Sequence, residues 1–227
     1  MDEAGGVSYA KPDKSRFFIR SVVLIPEASL TPYQDLIEAC CAGFPAHKGK
    51  QVAFHAQKIF HGHTGWELWQ EERRRNLLHS MADLMVEQGI PIVHACVDKK
   101  KMVEKYKKPI NPHIMSFVQV GEMVERWMGQ WARGQYWIPC VGANDHNREI
   151  EGMFLDCRNF GAPFGYWSRQ WTRAADVMAF TSPEKSKIFG FSDLAAFAIS
   201  RHRQQKEHWG VMDKLQPRIF ASKIFPT

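Results

Sequence analysis

Residues 90–97, IPIVHACV, constrain the chain more than any other segment. Alternate side chains of a strand point to opposite faces, so a strand apolar at nearly every position must be covered on both. Such cover calls for helices above and below a sheet, and the flanking sequence supplies them. Residues 65–89, GWELWQEERRRNLLHSMADLMVEQG, set Leu68, Leu77, Leu78, Met81, Leu84 and Met85 at helical spacing and end at Gly89. Residues 111–135 resume a helix beyond the strand. The same rhythm extends outward. Residues 16–26 read as a strand, and TPYQDLIEACCAGF (31–44) as a helix with Thr31 as N-cap candidate and a proline at its first position. A short strand at 51–55 leads into a loop. Further strands are expected at 136–145 and in VMAFTSP (177–183), with helices at 146–160 and 191–206. Strands alternating with helices favour an α/β sheet with some parallel pairs. No repeat and no Pro/Gly/Ser-rich linker divides the chain, so residues 1–227 read as a single domain.

A 44% hydrophobic content over 227 residues suffices for a large core. No run approaches the roughly 20 apolar residues of a membrane span, and MDEAGG lacks the basic start and apolar stretch of a secretory signal. A cytoplasmic location, without membrane contact, is the resulting expectation. Cys40, Cys41, Cys96, Cys140 and Cys157 form no CxxC pair and read as reduced, structural thiols. The net charge of +6 is concentrated in Arg73, Arg74 and Arg75, in DKKKMVEKYKK (98–108) and in SRHRQQK (200–206). Each run alone is an ordinary solvated face; the excess over the whole chain points to a polyanion, and nucleic acid is the expected partner.

The carboxylates draw attention by position. Asp145 ends the strand YWIPCVGAND, and ligand sites of open α/β sheets gather at the carboxyl ends of strands. Asp193 falls in the first turn of the helix GFSDLAAFAI, where the helix dipole alone accounts for a negative charge. Asp2 and Glu3 precede two glycines. The segment FHAQKIFHGHTGW (54–66) is too irregular for a helix stripe and too polar for a core strand. Its His55, His61 and His63 read as groups at the edge of a site, either behind its ligands or facing phosphate, on a loop that Gly62 and Gly65 allow to turn. His61 and His63, at H-x-H spacing, offer a zinc site as the alternative, with His146 as a third candidate ligand. Most of Trp66, Trp69, Trp127 and Trp131 are assigned to the core, while Trp167 and Trp171, among Arg169 and Arg173, stay open between core and base stacking.

The opening DEAGG, the FHAQKIFHG block, the aspartate after CVGAN and the closing FGFSDLAAFAI come in the order seen in the domain-of-unknown-function family numbered 3800. That family begins with a strand ending in Asp-Glu-Ser-Gly and closes with a Gln-Leu-Ala-Asp-Leu helix. The chain resembles it from residue 2 to about residue 204, leaving 205–227 as a C-terminal extension. The resemblance implies an RNase H-like fold, a mixed sheet flanked by helices, with the first strand truncated because no strand precedes DEAG. It implies that Asp2, Asp145 and Asp193 hold magnesium or manganese, with Glu3 beside them, as the catalytic set of a divalent-metal-dependent phosphodiesterase. Nucleic acid would then meet His55, Lys58, His61, Arg73, Arg74 and Arg75. The chain departs from the family at Lys58, where an acidic residue is expected, and at Gly190, where glutamine is usual. A protonated lysine cannot ligate a cation and opposes one nearby, which raises the alternative of an RNase H-like binding protein whose catalytic centre has decayed.

Overall fold

The computed structural model of the chain describes residues 1–10, 16–131, 134–141, 147–164, 170–175, 178–181, 186–206 and 209–226. Strand β1 (Asp2–Ala4) is followed by β2 (Phe17–Val23), helix α1 (Leu30–Cys41) and the two-residue strands β3 (Ala46–His47) and β4 (Lys50–Gln51). Helices α2 (Ala56–His61) and α3 (Glu71–Glu87) precede β5 (Ile92–Asp98), α4 (Lys99–Lys105) and α5 (Pro112–Trp131). Then come β6 (Pro139–Val141), α6 (Asn147–Asn159), β7 (Ala179–Thr181), α7 (Phe189–Arg203), α8 (Val211–Leu215) and β8 (Ile219–Phe225). The main sheet runs β1-β2-β5-β8, antiparallel across its first two pairings and parallel between β5 and β8; β6 and β7 form a separate parallel pair.

The expectation from IPIVHACV holds in physical detail. All seven residues of β5 are buried, and most of its apolar side chains divide between two cores. Ile92 and Cys96 join Ile19 in a core built with α1, α2, α3, α7 and α8. Val93 and Ala95 join a second core with α5 and α6 on the other face. The protein is therefore a mixed α/β structure with a mixed sheet flanked by helices.

Several local expectations are corrected. Residues 56–61 form a helix rather than part of a loop. Six residues are too few to repeat an apolar stripe, and both ends of α2 are stabilised by groups distant in sequence. The Ala56 N–H donates to Asp193 Oδ2 at 2.6 Å, while Arg74 Nη1 donates to the carbonyls of Ile59 and Phe60 at 2.7 Å each. Gly62 then ends the helix in the left-handed conformation at φ 67°, where Arg74 packs against it. Helix α3 starts at Glu71; Leu68 lies in a preceding 3₁₀ turn and is exposed, outside the apolar stripe. Helix α1 is capped at Ser29, not Thr31. The extension at 205–227 is integral to the fold, since α8 packs on α3 and α7 and β8 adds a strand beside β5.

Candidate functional site

Strand β1 carries the chemistry on both of its faces. Asp2 pairs in register with Ser21 and Glu3 with Arg20. Directly opposed residues share a face, and successive residues alternate, so Asp2 and Glu3 look to opposite sides of the sheet. The Glu3 side is closed by α5. There Arg20 Nη2 donates to Glu3 Oε2 at 2.8 Å, His113 Nδ1 lies 3.0 Å from the same oxygen, and Arg20 Nε donates to Ser116 Oγ at 3.1 Å. The guanidinium is buried but fully engaged, an arrangement that neutralises Glu3 and welds β1 to β2 and α5.

The Asp2 side is covered by α7. This helix begins at Phe189, so Asp193 falls in its second turn, and the expected first-turn role is replaced by another. Asp193 Oδ2 accepts the Ala56 N–H at the start of α2, where His55, at the cap position, offers no side-chain bond. The two aspartates hydrogen-bond one another. Burial pushes the Asp2 carboxyl up to about 7, with the Asp193 charge adding to the rise and the Glu3 N–H, at 2.7 Å from Asp2 Oδ1, opposing it. Burial also pushes Asp193 up to about 7, against the Ala56 N–H, the Asp2 hydrogen bond and the Lys58 charge. Near neutrality the pair shares a proton, as carboxyls forced together do.

Two buried polar residues continue this face behind Asp2. Ser21 is fully buried, with no hydrogen-bond partner for its Oγ among the described residues, and its register partner on β5 is His94. Burial, with the Arg203 charge behind it, lowers His94 to about 4, so the imidazole is neutral. Sequence reasoning missed both. The signal was present in IPIVHACV, whose single polar residue is His94.

The remaining expected site residues separate. Asp145, His146, Trp167 and Arg169 lie outside the described residues. His55 Nδ1 stands 3.6 Å from Asp193 Oδ1, and the imidazole is held below its ordinary value by burial and by the Lys58 charge. Lys58 is exposed on α2 and forms no ion pair with Asp2 or Asp193, yet its charge reaches Asp193. His61 and His63 stack at 5.9 Å at the far end of α2. Arg73, Arg74 and Arg75 diverge as consecutive helical residues must: Arg73 lies over Trp69 at 3.7 Å, Arg74 caps α2, and Arg75 pairs with Glu71 at 3.7 Å. They do not form one phosphate-binding surface. Lys99 is likewise withdrawn from its basic run, buried with Nζ donating to the carbonyls of Gly6 and Ser8. Trp171 belongs to the core beside Gly121, where a Cβ would sit 2.1 Å from its ring, whereas Trp131 is exposed.

The donors fit a hard divalent cation in kind, since carboxylate oxygens and a hydroxyl without a partner share one face. Among the described residues no group of three or more His, Cys, Asp or Glu is disposed to hold a metal ion. No helix among them is long and apolar enough to cross a membrane. Compared with family models, curated proteins and solved structures, the chain finds no match.

Proposed function

We propose that the chain is a divalent-metal-dependent phosphodiesterase acting on nucleic acid, built on an RNase H-like fold and related to the family numbered 3800. One observation carries the reading: Asp2 and Asp193, 191 positions apart, meet as a hydrogen-bonded carboxyl pair at the junction of the first strand and the closing helix. Support for the fold comes from the antiparallel pairing of β1, β2 and β5, and from the Met1 nitrogen donating to Pro139 O at 3.1 Å, which brings the start of β1 beside the parallel β6–β7 pair.

On this reading Asp2 and Asp193 hold magnesium or manganese, with Asp145 as the further ligand that the motif order suggests. Once bound, the ion supplies Lewis-acid stabilisation of a phosphodiester and an activated water. The chain's own part begins with the proton. Both carboxyls titrate near 7, so the shared proton must leave before they can ligate, and affinity for the cation rises with pH through that value. The Ala56 N–H orients Asp193, and the Arg20–Glu3 pair holds β1 in register behind Asp2. Calorimetric titration of wild type and Asp193→Asn with magnesium and manganese tests the reading, alongside cleavage of labelled oligonucleotides. Binding and cleavage lost together in the variant would support it; a wild type that binds neither ion at pH 8 would end it.

The second reading, a nucleic-acid binder with a decayed centre, draws on Lys58, whose charge acts on Asp193. It predicts no cleavage by wild type and tighter metal binding after Lys58→Asp, which exchanges a positive charge for a negative one.

A further inference from the structure

Strands β3 and β4 form a hairpin whose turn departs from what folding favours. Ala46 pairs with Gln51 and His47 with Lys50, which leaves Lys48 and Gly49 as a two-residue turn. Both stand at positive φ, 52° and 76°, as the twist of so tight a hairpin demands. Glycine adopts that conformation freely, and the dipeptide that best fits such a turn is Asn-Gly. Lys48 therefore stands where folding alone would place asparagine.

The hairpin is seated on the loop that leaves α2. That helix closes as the His63 N–H donates to the Lys58 carbonyl at 2.9 Å and the Gly62 N–H to that of Ile59 at 3.3 Å. Thr64 follows, a second non-glycine residue at positive φ, 59°. A Cβ at Gly65 would lie 3.1 Å from both His47 Cβ and Val52 Cγ1, so loop and hairpin pack there with no room for a side chain. At the hairpin's base Gln51 Nε2 donates to the Cys41 carbonyl at 2.9 Å, and the Val52 N–H to that of Pro45 at 3.0 Å. The tip is thus carried on a fixed base.

Lys48, Lys50, Lys58, His63 and Thr64 are all exposed on these connected segments. The ammonium groups of Lys48, Lys50 and Lys58 take part in no hydrogen bond or ion pair with another described residue. Glu67, the acid that follows the loop, accepts the Gly65 N–H at 2.7 Å instead of pairing with a lysine. One solvated lysine would signify nothing. Here the unpaired cations share a surface with two left-handed non-glycine residues, and backbone conformations that folding does not reward gather at binding surfaces. The surface also leads to the carboxyl pair. Helix α2 starts where the Ala56 N–H meets Asp193, and its six residues span about 9 Å at 1.5 Å each. Lys58 lies between the two ends, and its charge acts on Asp193.

We infer that the β3–β4 hairpin and the loop after α2 hold the nucleic-acid backbone, with Lys48, Lys50 and Lys58 on phosphates and the His63 ring and Thr64 hydroxyl as donors beside them. A compact ammonium on a flexible stem meets phosphate as a point charge, so this surface positions a strand without reading its sequence. The inference rests on the nucleic-acid reading above and deepens it, placing the carboxyls at one end of α2 and the substrate-holding cations along and beyond the other.

The test is fluorescence anisotropy with a short labelled oligonucleotide, single-stranded and duplex, in EDTA over a range of salt. Wild type should bind at least one form, with affinity falling steeply as salt rises. Lys48→Asn separates folding from binding: the thermal midpoint should hold or rise, while affinity falls about threefold to tenfold and the salt slope drops by about one. Lys48→Asn/Lys50→Gln should weaken binding more than about tenfold and lower the slope by about two. Lys50→Gln alone, at an exposed strand position, keeps the test valid if Lys48→Asn lowers the midpoint. Lys101→Ala/Lys107→Ala removes the same charge from α4 and the residues after it, and should leave affinity within about twofold. Absence of binding to both forms at low salt, wild-type affinity and slope in the hairpin double variant, or an equal loss from the α4 variant would overturn the inference. EDTA removes any carboxyl-held cation, so the two proposals separate: loss of binding in the hairpin variants without any cleavage by wild type retains the surface and rejects the phosphodiesterase, and normal binding in variants of a cleaving enzyme does the reverse.

Discussion

On one face of β1, Glu3 meets a guanidinium at 2.8 Å and an imidazole at 3.0 Å; on the other, its neighbour Asp2 meets a second carboxyl. Both acids are partly buried within the same three-residue strand, so the difference lies in what the covering helices bring. Helix α5 delivers His113 and Ser116 to complete a charge-balanced network around Arg20. Helix α7 delivers Asp193 and covers the pair, and burial, joined at Asp2 by the Asp193 charge, raises both aspartates to about 7. A compensated face of this kind stabilises. An uncompensated one costs stability until a proton or a cation arrives, which is the behaviour expected of a site.

The largest effect that tests this contrast should come from Arg20→Met. Removing one partner of a buried ion pair strands the other, and a loss of about 3–5 kcal/mol is expected from urea unfolding. Glu3→Gln should cost less, about 1–2 kcal/mol, because an amide oxygen can still accept from Arg20. Equal losses from the two variants would mean that the network is not centred on the arginine.

On the opposite face a polar substitution should stabilise. Asp193→Asn keeps an acceptor for the Ala56 N–H and removes the like charge, so the melting temperature above pH 7 should rise, by about 2–4 °C for each kcal/mol relieved. A fall instead would show that the pair is held together by something beyond a shared proton.

The pH dependence follows from the same pair. Between about 4 and 7 the folded aspartates retain protons that the unfolded chain, with its carboxyls at 3.8, has released. The unfolded state then binds fewer protons, so the pair's contribution is fully present below 3.8 and is lost as pH rises through about 7. Denaturant midpoints of wild type should decline across that window relative to Asp2→Asn/Asp193→Asn; parallel profiles would contradict the raised values. Magnesium should recover stability above pH 7 in wild type and not in the double variant.

The smallest effect should belong to Lys58→Ala. Its charge holds Asp193 down against burial, so the Asp193 titration followed by carboxyl-carbon NMR should move upward without change in unfolding midpoint at low pH. No movement would remove Lys58 from the site.

Sequence patterning by itself determined the layers. A strand apolar at every second and every intervening position can exist only between two covers, and IPIVHACV with the long amphipathic helices on either side left no other architecture. Asp2 and Asp193 were singled out by the resemblance to the family numbered 3800, not by patterning, and the helix dipole that alone would account for Asp193 is not supplied at its second-turn position. What a side chain meets was decided only by the tertiary structure. Neighbouring Asp2 and Glu3 read as a unit in the chain, but the pleat separates them and the register to β2 gives one a serine and the other an arginine. The helix α2 was equally illegible, because six residues carry too little period to be recognised and its ends are satisfied by Asp193 and Arg74 from elsewhere. Likewise β8 lies within the stretch assigned to an extension, and it becomes a strand through the backbone groups that β5 presents to it. Periodicity records burial, which is local and repeats along the chain; pairing of charges and of strand edges depends on contacts between residues far apart, and nothing in the local pattern encodes them.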